Sequence, residues 1–302
     1  GSTLATASLG VFFDDTYEGD GLKIKEIMKG SPLETSKKDI EPGYIIKAID
    51  GQEIKAGQDY YPLLDGKAGR YTRLTISKKG KEFDITIKPI SQGTENGLLY
   101  KRWIERNRQI VDKLSNNRIA YVHIKAMDAA SFQTLYKELM SDENRNKEAV
   151  IVDTRHNGGG WLHGDICVLL SGKRVMQFKP RGQFIGNDPF DRWVKPSCML
   201  VCEDNYSNAH GTPWYYKELG LGQLIGAPVP GTMTAVWWEG LEGGMVFGIP
   251  QVGAYDNNGE VLENQELKPD IEIYNNPADV LTGKDSQLER AVQEILKTVS
   301  QQ

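Results

Sequence analysis

CMLVCEDNYSNAHGTPWYYKELG, Cys198 to Gly220, passes from an apolar run through a polar turn into a segment of helical character. CMLV has the length and composition of a strand buried on both faces. A buried strand followed at once by a helix is the repeating unit of parallel α/β sheets. The turn places Ser207 where the strand has ended and the helix is about to begin. A serine there is either a nucleophile presented above a sheet or the N-cap that satisfies the first free amides of the helix.

The same alternation extends in both directions. RIAYVHIKAM (118–127), EAVIVDTR (148–155), PSCMLVCED (196–204) and LGQLIGAP (221–228) read as strands, with SFQTLYKELMS (131–141), WLHGDICVLLSG (161–172) and AHGTPWYYKELG (209–220) as the helices between them. Ligands of such sheets gather beyond the carboxyl ends of the strands. DTRHNGGG (153–160) and EDNYSNAH (203–210) both lie at such ends and are expected to converge. Three consecutive glycines let backbone amides approach a ligand, as a phosphate or an acyl oxyanion requires, or they make a tight turn. The stretch lacks the lysine of GxxxxGK[ST] and the spacing of GxGxxG, which disfavours a nucleotide loop.

Ahead of this region the chain changes character. LGVFF, LKIKEIM and EPGYIIKAIDGQEI are short strands punctuated by turns, and LTISKKGKEFDITIKPI (74–90) is a hairpin with one wet face. DYYPLLDGKAG offers a short helix. The polar stretch TIKPISQGTENG suits a boundary, which divides the chain into residues 1–92 and 93–302. A length of 302 residues agrees with two domains. The net charge of −5 argues against a nucleic-acid partner held through phosphates. No apolar run reaches the roughly 20 residues of a membrane span. Cys167, Cys198 and Cys202 show no CxxC spacing, so neither a disulfide scaffold nor a structural zinc site is indicated, and neither metal nor cofactor is expected.

The order of pieces in the first domain resembles a PDZ domain. SLGV (Ser8–Val11) is similar to its carboxylate-binding loop, SPLETSKKDIEPGYIIKAIDGQEI to its central strand region, and residues 57–66 to its peptide-flanking helix. The resemblance implies that Leu9, Gly10 and Val11 receive a peptide chain end, the alternative being that the module only packs against or gates its neighbour. Nearly the whole chain resembles the C-terminal-processing peptidase clan, and within it the tricorn-type S41 serine peptidases. WIERNRQIVDKLSNNRIAYVHIKAMD (103–128), DTRHNGGG, EDNYSNAHGTPWYYKELGLGQLIG, LENQELKPDIEI and the closing KDSQLERAVQEILK carry it. The fold implied is an α/β catalytic core of the ClpP/crotonase kind, preceded by a small β-rich PDZ-like domain. The partners implied are a peptide or unfolded protein substrate and a homo-oligomer; the resemblance leaves the compartment open between the cytoplasm and beyond the inner membrane, with a periplasmic or secreted place favoured.

Carried over residue by residue, the resemblance makes Ser207 the nucleophile, Glu263 the group that orients a histidine base, and the amides of Gly159 and Asn208 the oxyanion hole. An unassisted serine hydroxyl is a poor nucleophile near neutral pH, so a base is required. Residues 219–265 contain no lysine, which disfavours a Ser/Lys dyad. The resemblance places the base in a helical segment ahead of the PDZ domain, expected to lie outside this chain. His210 and His156 are possible accessory groups. His123 is expected to be structural, His163 to sit at a solvated helix position, and Trp214, Trp237 and Trp238 to fill core rather than form a substrate platform. A relative that binds peptides without hydrolysis is the alternative function.

Overall fold

A computed structural model describes residues 4–301. One compact unit runs to Arg106 and the other begins at Asn107, so the division falls within helix α1 (Gln92–Ser115). In the first unit β1 (Val11–Phe13), β2 (Leu22–Ile27), β3 (Ile45–Ile49), β5 (Thr72–Lys78) and β6 (Lys81–Ile87) form an antiparallel sheet in that order, and β4 (Gln52–Glu53) pairs with β3. The hairpin is the one expected at KKGK. Lys79 and Gly80 both take positive φ, 49° and 82°, as a two-residue turn matched to strand twist demands. Across it Leu74 faces Ile85 and Ile76 faces Phe83.

One expectation for this unit changes. The helix expected over 57–66 is only a 3₁₀ turn, Tyr61–Leu64, because Pro62 withholds one amide and the chain reverses at Gly66 with φ 65°. In the expected carboxylate loop one amide, that of Gly10, is already engaged. Leu9 and Val11 are core side chains, and the Gly10 amide donates to Ser8 Oγ at 2.9 Å, whose hydroxyl in turn donates to Glu95.

The second unit is the expected α/β core. In chain order it contains β7 (Ile119–His123), α2 (Ala129–Leu139), α3 (Asp142–Arg145), β8 (Ala149–Asp153), α4 (His163–Leu170), the small hairpin β9 (Met176–Phe178) and β10 (Gly186–Asp188), and β11 (Ser197–Val201). It continues through α5 (Asn208–Glu218), β12 (Gly222–Gly226), the hairpin β13 (Ala235–Gly240) and β14 (Val246–Val252), β15 (Ile271–Glu272), α6 (Pro277–Thr282) and α7 (Ser286–Ser300). The main sheet is parallel throughout, in the order β15-β12-β11-β8-β7. Its strands are continuous apolar runs because both faces are covered. Val150, Val152, Met199, Val201 and Leu224 pack with Leu135, Leu139, Ile166 and Tyr216 of α2, α4 and α5. Helix α7 lies against β8, β11 and β12 and buries Leu288, Ala291, Val292 and Ile295, an i, i+3, i+4, i+7 stripe.

Beneath the carboxyl end of β8 sits a buried ionic network. Arg155, 2 % exposed, donates from Nη2 to Asp153 Oδ2 at 2.7 Å and pairs through Nη1 with Asp285 at 2.9 Å, while Gln287 Oε1 accepts from Nη1 at 3.1 Å. Asp153 also accepts the Tyr121 hydroxyl at 2.8 Å, and that hydroxyl accepts from Asn107 at 3.0 Å. Burial by itself would raise the Asp153 pKa, but the Arg155 charge and hydrogen bonds outweigh it and hold the carboxyl below the usual carboxylate range. Asp285 is also the N-cap of α7, accepting from the Leu288 amide, so one guanidinium joins a strand end to the start of the closing helix.

Arg155→Met leaves Asp153 charged, buried and without its cation. Urea unfolding followed by circular dichroism is expected to show a loss of about 3–5 kcal/mol, and Asp153→Asn added to Arg155→Met is expected to recover part of it.

Candidate functional site

β11 delivers the chain to Cys202, and five residues later Ser207 stands at the start of α5 with φ 55° and ψ −123°. That conformation costs an L-residue about 1–3 kcal/mol and persists only where the surroundings impose it. Here they do. The Tyr206 amide donates to Asn157 O at 3.0 Å and the Ser207 amide to Thr232 Oγ1 at 2.9 Å. Buried Asn205 donates its side-chain amide to Thr154 Oγ1 at 3.0 Å and to Ala209 O at 3.1 Å. The Ser207 carbonyl accepts the first helical bond from His210, but its side chain makes no capping bond. The hydroxyl therefore does not cap the helix.

Asn157, wholly buried, is the pivot of the opposing turn: its Nδ2 donates to Ile124 O at 2.7 Å and its Oδ1 accepts the Gly159 amide at 2.8 Å. Gly159 has φ 95°, and a Cβ there would lie 2.7 Å from both Ser207 Cβ and Tyr206 O. At Gly160, φ 140°, a Cβ would lie 2.2 Å from Met127 O. Only glycine lets the turn press against the serine elbow. The amide of Gly159, expected as an oxyanion donor, is thus committed to Asn157, whereas Gly158 and Gly160 line the cavity beside Ser207.

Asn208, 1 % exposed, joins the two segments. Its Oδ1 accepts the amides of Leu162 and His163 at 2.8 and 3.0 Å, capping α4 from outside that helix. Because that oxygen receives two amides, the side-chain NH₂ of Asn208 faces His163 Nδ1 at 2.7 Å and donates to it, which assigns the imidazole proton to Nε2. Burial lowers the His163 pKa in agreement with a neutral ring. The ring is half-buried between Trp161 and Tyr215, with centroids at 5.8 and 5.6 Å, so this residue is not at the solvated position expected of it.

Glu263 approaches the site through the segment 231–234. Its Oε2 accepts the Thr234 amide at 2.7 Å, and the Asn264 amide donates to Gly231 O at 2.9 Å. Ser207 is bound to Thr232 and Glu263 to Thr234, so one short segment brings the two together. Neither histidine expected as an accessory group lines the cavity. His210 is 1 % exposed, its Nδ1 has no hydrogen-bond partner among the described residues, and it lies in the field of Glu263 and near the Gln265 backbone. Burial lowers its pKa against that nearby charge. His156 is exposed, with Nδ1 2.8 Å from Asp204 Oδ2. His123 is buried in β7 and contacts Arg155 O through Nε2 at 2.9 Å, the structural place expected for it.

The cavity beside Ser207 holds about 300 Å³ and is walled by Gly158, Gly160, Trp161, Met233, Val236 and Trp238 among others, with no charged side chain among the described residues that line it. Trp237 and Trp238 were expected in the core; they are 57 % and 69 % exposed on β13, while Trp214 packs partly buried against the core. A larger cavity, about 810 Å³, opens at Ser197, Cys198, Gly222 and Gln223, the amino ends of β11 and β12, away from the elbow.

A small antiparallel module, then a parallel sheet presenting a strained serine against a triple-glycine turn, is the architecture of a PDZ-bearing S41-type core. The sequence profile of peptidase family S41 matches residues 118–273, that of the tricorn protease PDZ domain matches residues 14–92, and the chain belongs to peptidase family S41. It is 30% identical to the tricorn protease of Thermoplasma acidophilum over 264 residues, covering 85% of this chain and 24% of that protein. It is 28% identical to the tricorn protease of Thermoplasma volcanium, covering 94% of this chain and 28% of that protein. The crystal structure of the tricorn protease superposes with a TM-score of 0.88 at 27% identity, over 98% of this chain and 29% of that one. The chain therefore spans about a quarter of the length of these relatives.

The three glycines respond differently to a methyl group. A Cβ on Gly158 meets nothing within 4 Å, so Gly158→Ala is expected to change stability by no more than about 0.5 kcal/mol. Gly159→Ala and Gly160→Ala combine a clash with positive φ and are each expected to cost more than about 1 kcal/mol in urea titrations.

Proposed function

We propose that this chain is the nucleophile-bearing part of a serine peptidase that hydrolyses peptide bonds through an acyl-enzyme. Ser207 Oγ attacks the scissile carbonyl, and the oxyanion that forms is received by the Asn208 amide together with an amide of the glycine turn, Gly158 or Gly160. Glu263 orients the imidazole that takes the serine proton. The family resemblance puts that imidazole in a segment outside these 302 residues, and the cavity lining, which includes neither His156 nor His210, leaves room for it. The observation that carries this reading is the conformation of Ser207: a strained residue, held by its own amide's bond to Thr232 and by the bond of the preceding Tyr206 amide to Asn157, with a hydroxyl that caps no helix and lies beside a cavity. Strain retained at one residue is characteristic of a functional position. Assembly of several copies, which the family resemblance implies, is consistent with the apolar residues Trp237, Leu241, Met245 and Phe247 exposed around the β13–β14 hairpin.

The test is labelling of the full-length gene product by a fluorophosphonate. Ser207→Ala is expected to abolish labelling and to lower kcat by about 10⁴-fold or more. Labelling that persists in Ser207→Ala, or lands on another residue, overturns the assignment. The uncharged cavity wall carries a second expectation, that peptides with an apolar residue before the scissile bond are cleaved with higher kcat/KM than those with Lys or Asp there. Burying an unpaired charge in such a pocket is strongly unfavourable. Trp238→Ala is expected to narrow that preference by roughly tenfold, read from kcat/KM across the peptide series.

A further inference from the structure

We propose that His156, Cys202 and Asp204 form a binding site for one borderline-soft divalent cation of the zinc class. The ligand atoms of these three residues lie within 4.8 Å of one another. His156 Nδ1 is 2.8 Å from Asp204 Oδ2, and the Cys202 thiol donates to Asp204 Oδ1 at 2.6 Å. In a tetrahedral zinc site, bonds of about 2.0 Å to nitrogen and oxygen and about 2.3 Å to sulfur set ligand atoms about 3.3–3.6 Å apart. The two hydrogen-bonded pairs, which use different oxygens of Asp204, spread by about 1 Å or less to reach that spacing, and ligand atoms now up to 4.8 Å apart close by about 1.3 Å. Two of the three side chains are at the surface, while the sulfur is anchored at the end of β11.

The chemistry of the set points to the kind of ion. A thiolate and an imidazole select zinc-like metals over calcium or magnesium, which take oxygen ligands. When the ion binds, the Cys202 proton leaves to solvent and the thiol–carboxylate hydrogen bond is replaced by sulfur–metal and oxygen–metal bonds. One thiolate, one carboxylate and a neutral imidazole then balance the two positive charges. The sulfur already accepts the His156 amide at 3.2 Å, the kind of N–H···S bond that supports metal-bound thiolates. Three protein ligands leave a fourth position toward solvent.

The ion would join the loop after β8 to the loop after β11. His156 adjoins Asn157, which holds the Gly159 amide and accepts from Tyr206, so the bound ion braces the turn and the serine elbow together. His156 stands 46 and 48 residues from Cys202 and Asp204 in the chain, a separation at which no short spacing motif exists.

Zinc chloride titrated into the tag-free Ser207→Ala chain, read by equilibrium dialysis and by thermal unfolding, tests the site independently of catalysis. One equivalent per chain and a raised Tm are expected. His156→Gln and Asp204→Asn, both surface substitutions, are each expected to weaken binding by at least about tenfold. Cobalt chloride is expected to give a thiolate-to-metal charge-transfer absorption that Cys202→Ser removes. Absence of saturable binding, or binding unchanged in both surface variants, overturns the proposal. Cobalt binding without the thiolate absorption excludes Cys202 as a ligand and overturns it as stated.

Discussion

Arg155 lies 2 % exposed under the carboxyl end of β8, its guanidinium held by Asp153 on one side and by Asp285 and Gln287 on the other. Desolvation of such a pair cancels much of its Coulombic attraction, so its value is not chiefly stability. It lies in the cost of alternatives, because any packing that separates Arg155 from Asp153 strands a charge in the core. One arrangement of β8 against the start of α7 therefore prevails. Everything that follows β8, namely Asn157, the glycine turn and the cap of α4, inherits its position from that arrangement.

The serine elbow depends on this frame through a second layer of neutral polar groups. Asn157, Asn205 and Asn208 are each at most 1 % exposed, and each bonds across two segments. A side-chain amide carries donors and an acceptor on one rigid plane, so each of these residues can fix two backbones at once without adding a charge. Together they offset the strain at Ser207. They also explain why the glycines are needed: the turn is drawn so close that a methyl group at Gly159 has no room.

Much of this was legible in the sequence, because buried parallel strands are continuous apolar runs and their order along the chain is direct evidence of βα alternation. Ser207 at the strand end, the glycine turn and the KKGK hairpin each follow from local residue choice. Other features did not follow. The helix expected over 57–66 shrank to a single turn, since the three residues between Pro62 and Gly66 are too few to sustain one. Trp237 and Trp238 were read as core from their size, yet they lie on a hairpin that leaves the sheet. The roles of Asn157, Asn205, Thr232 and Thr234 leave little trace in local sequence: an asparagine beside GGG and another two residues before the serine are the only signals.

By itself the sequence determined the strands and helices of the parallel core and the family, and it singled out Ser207 and Glu263 as candidates, because each rests on patterns within one segment or on several motifs matched together. Tertiary structure alone decided which amides are spent and which face the cavity, why Ser207 is not a cap, that His210 is buried while His156 meets Asp204, and that Cys202 shares their surroundings. The physical reason is range. Propensity and periodicity act over a few residues, whereas hydrogen-bond saturation and charge pairing are settled among groups that only the folded chain brings within about 3 Å.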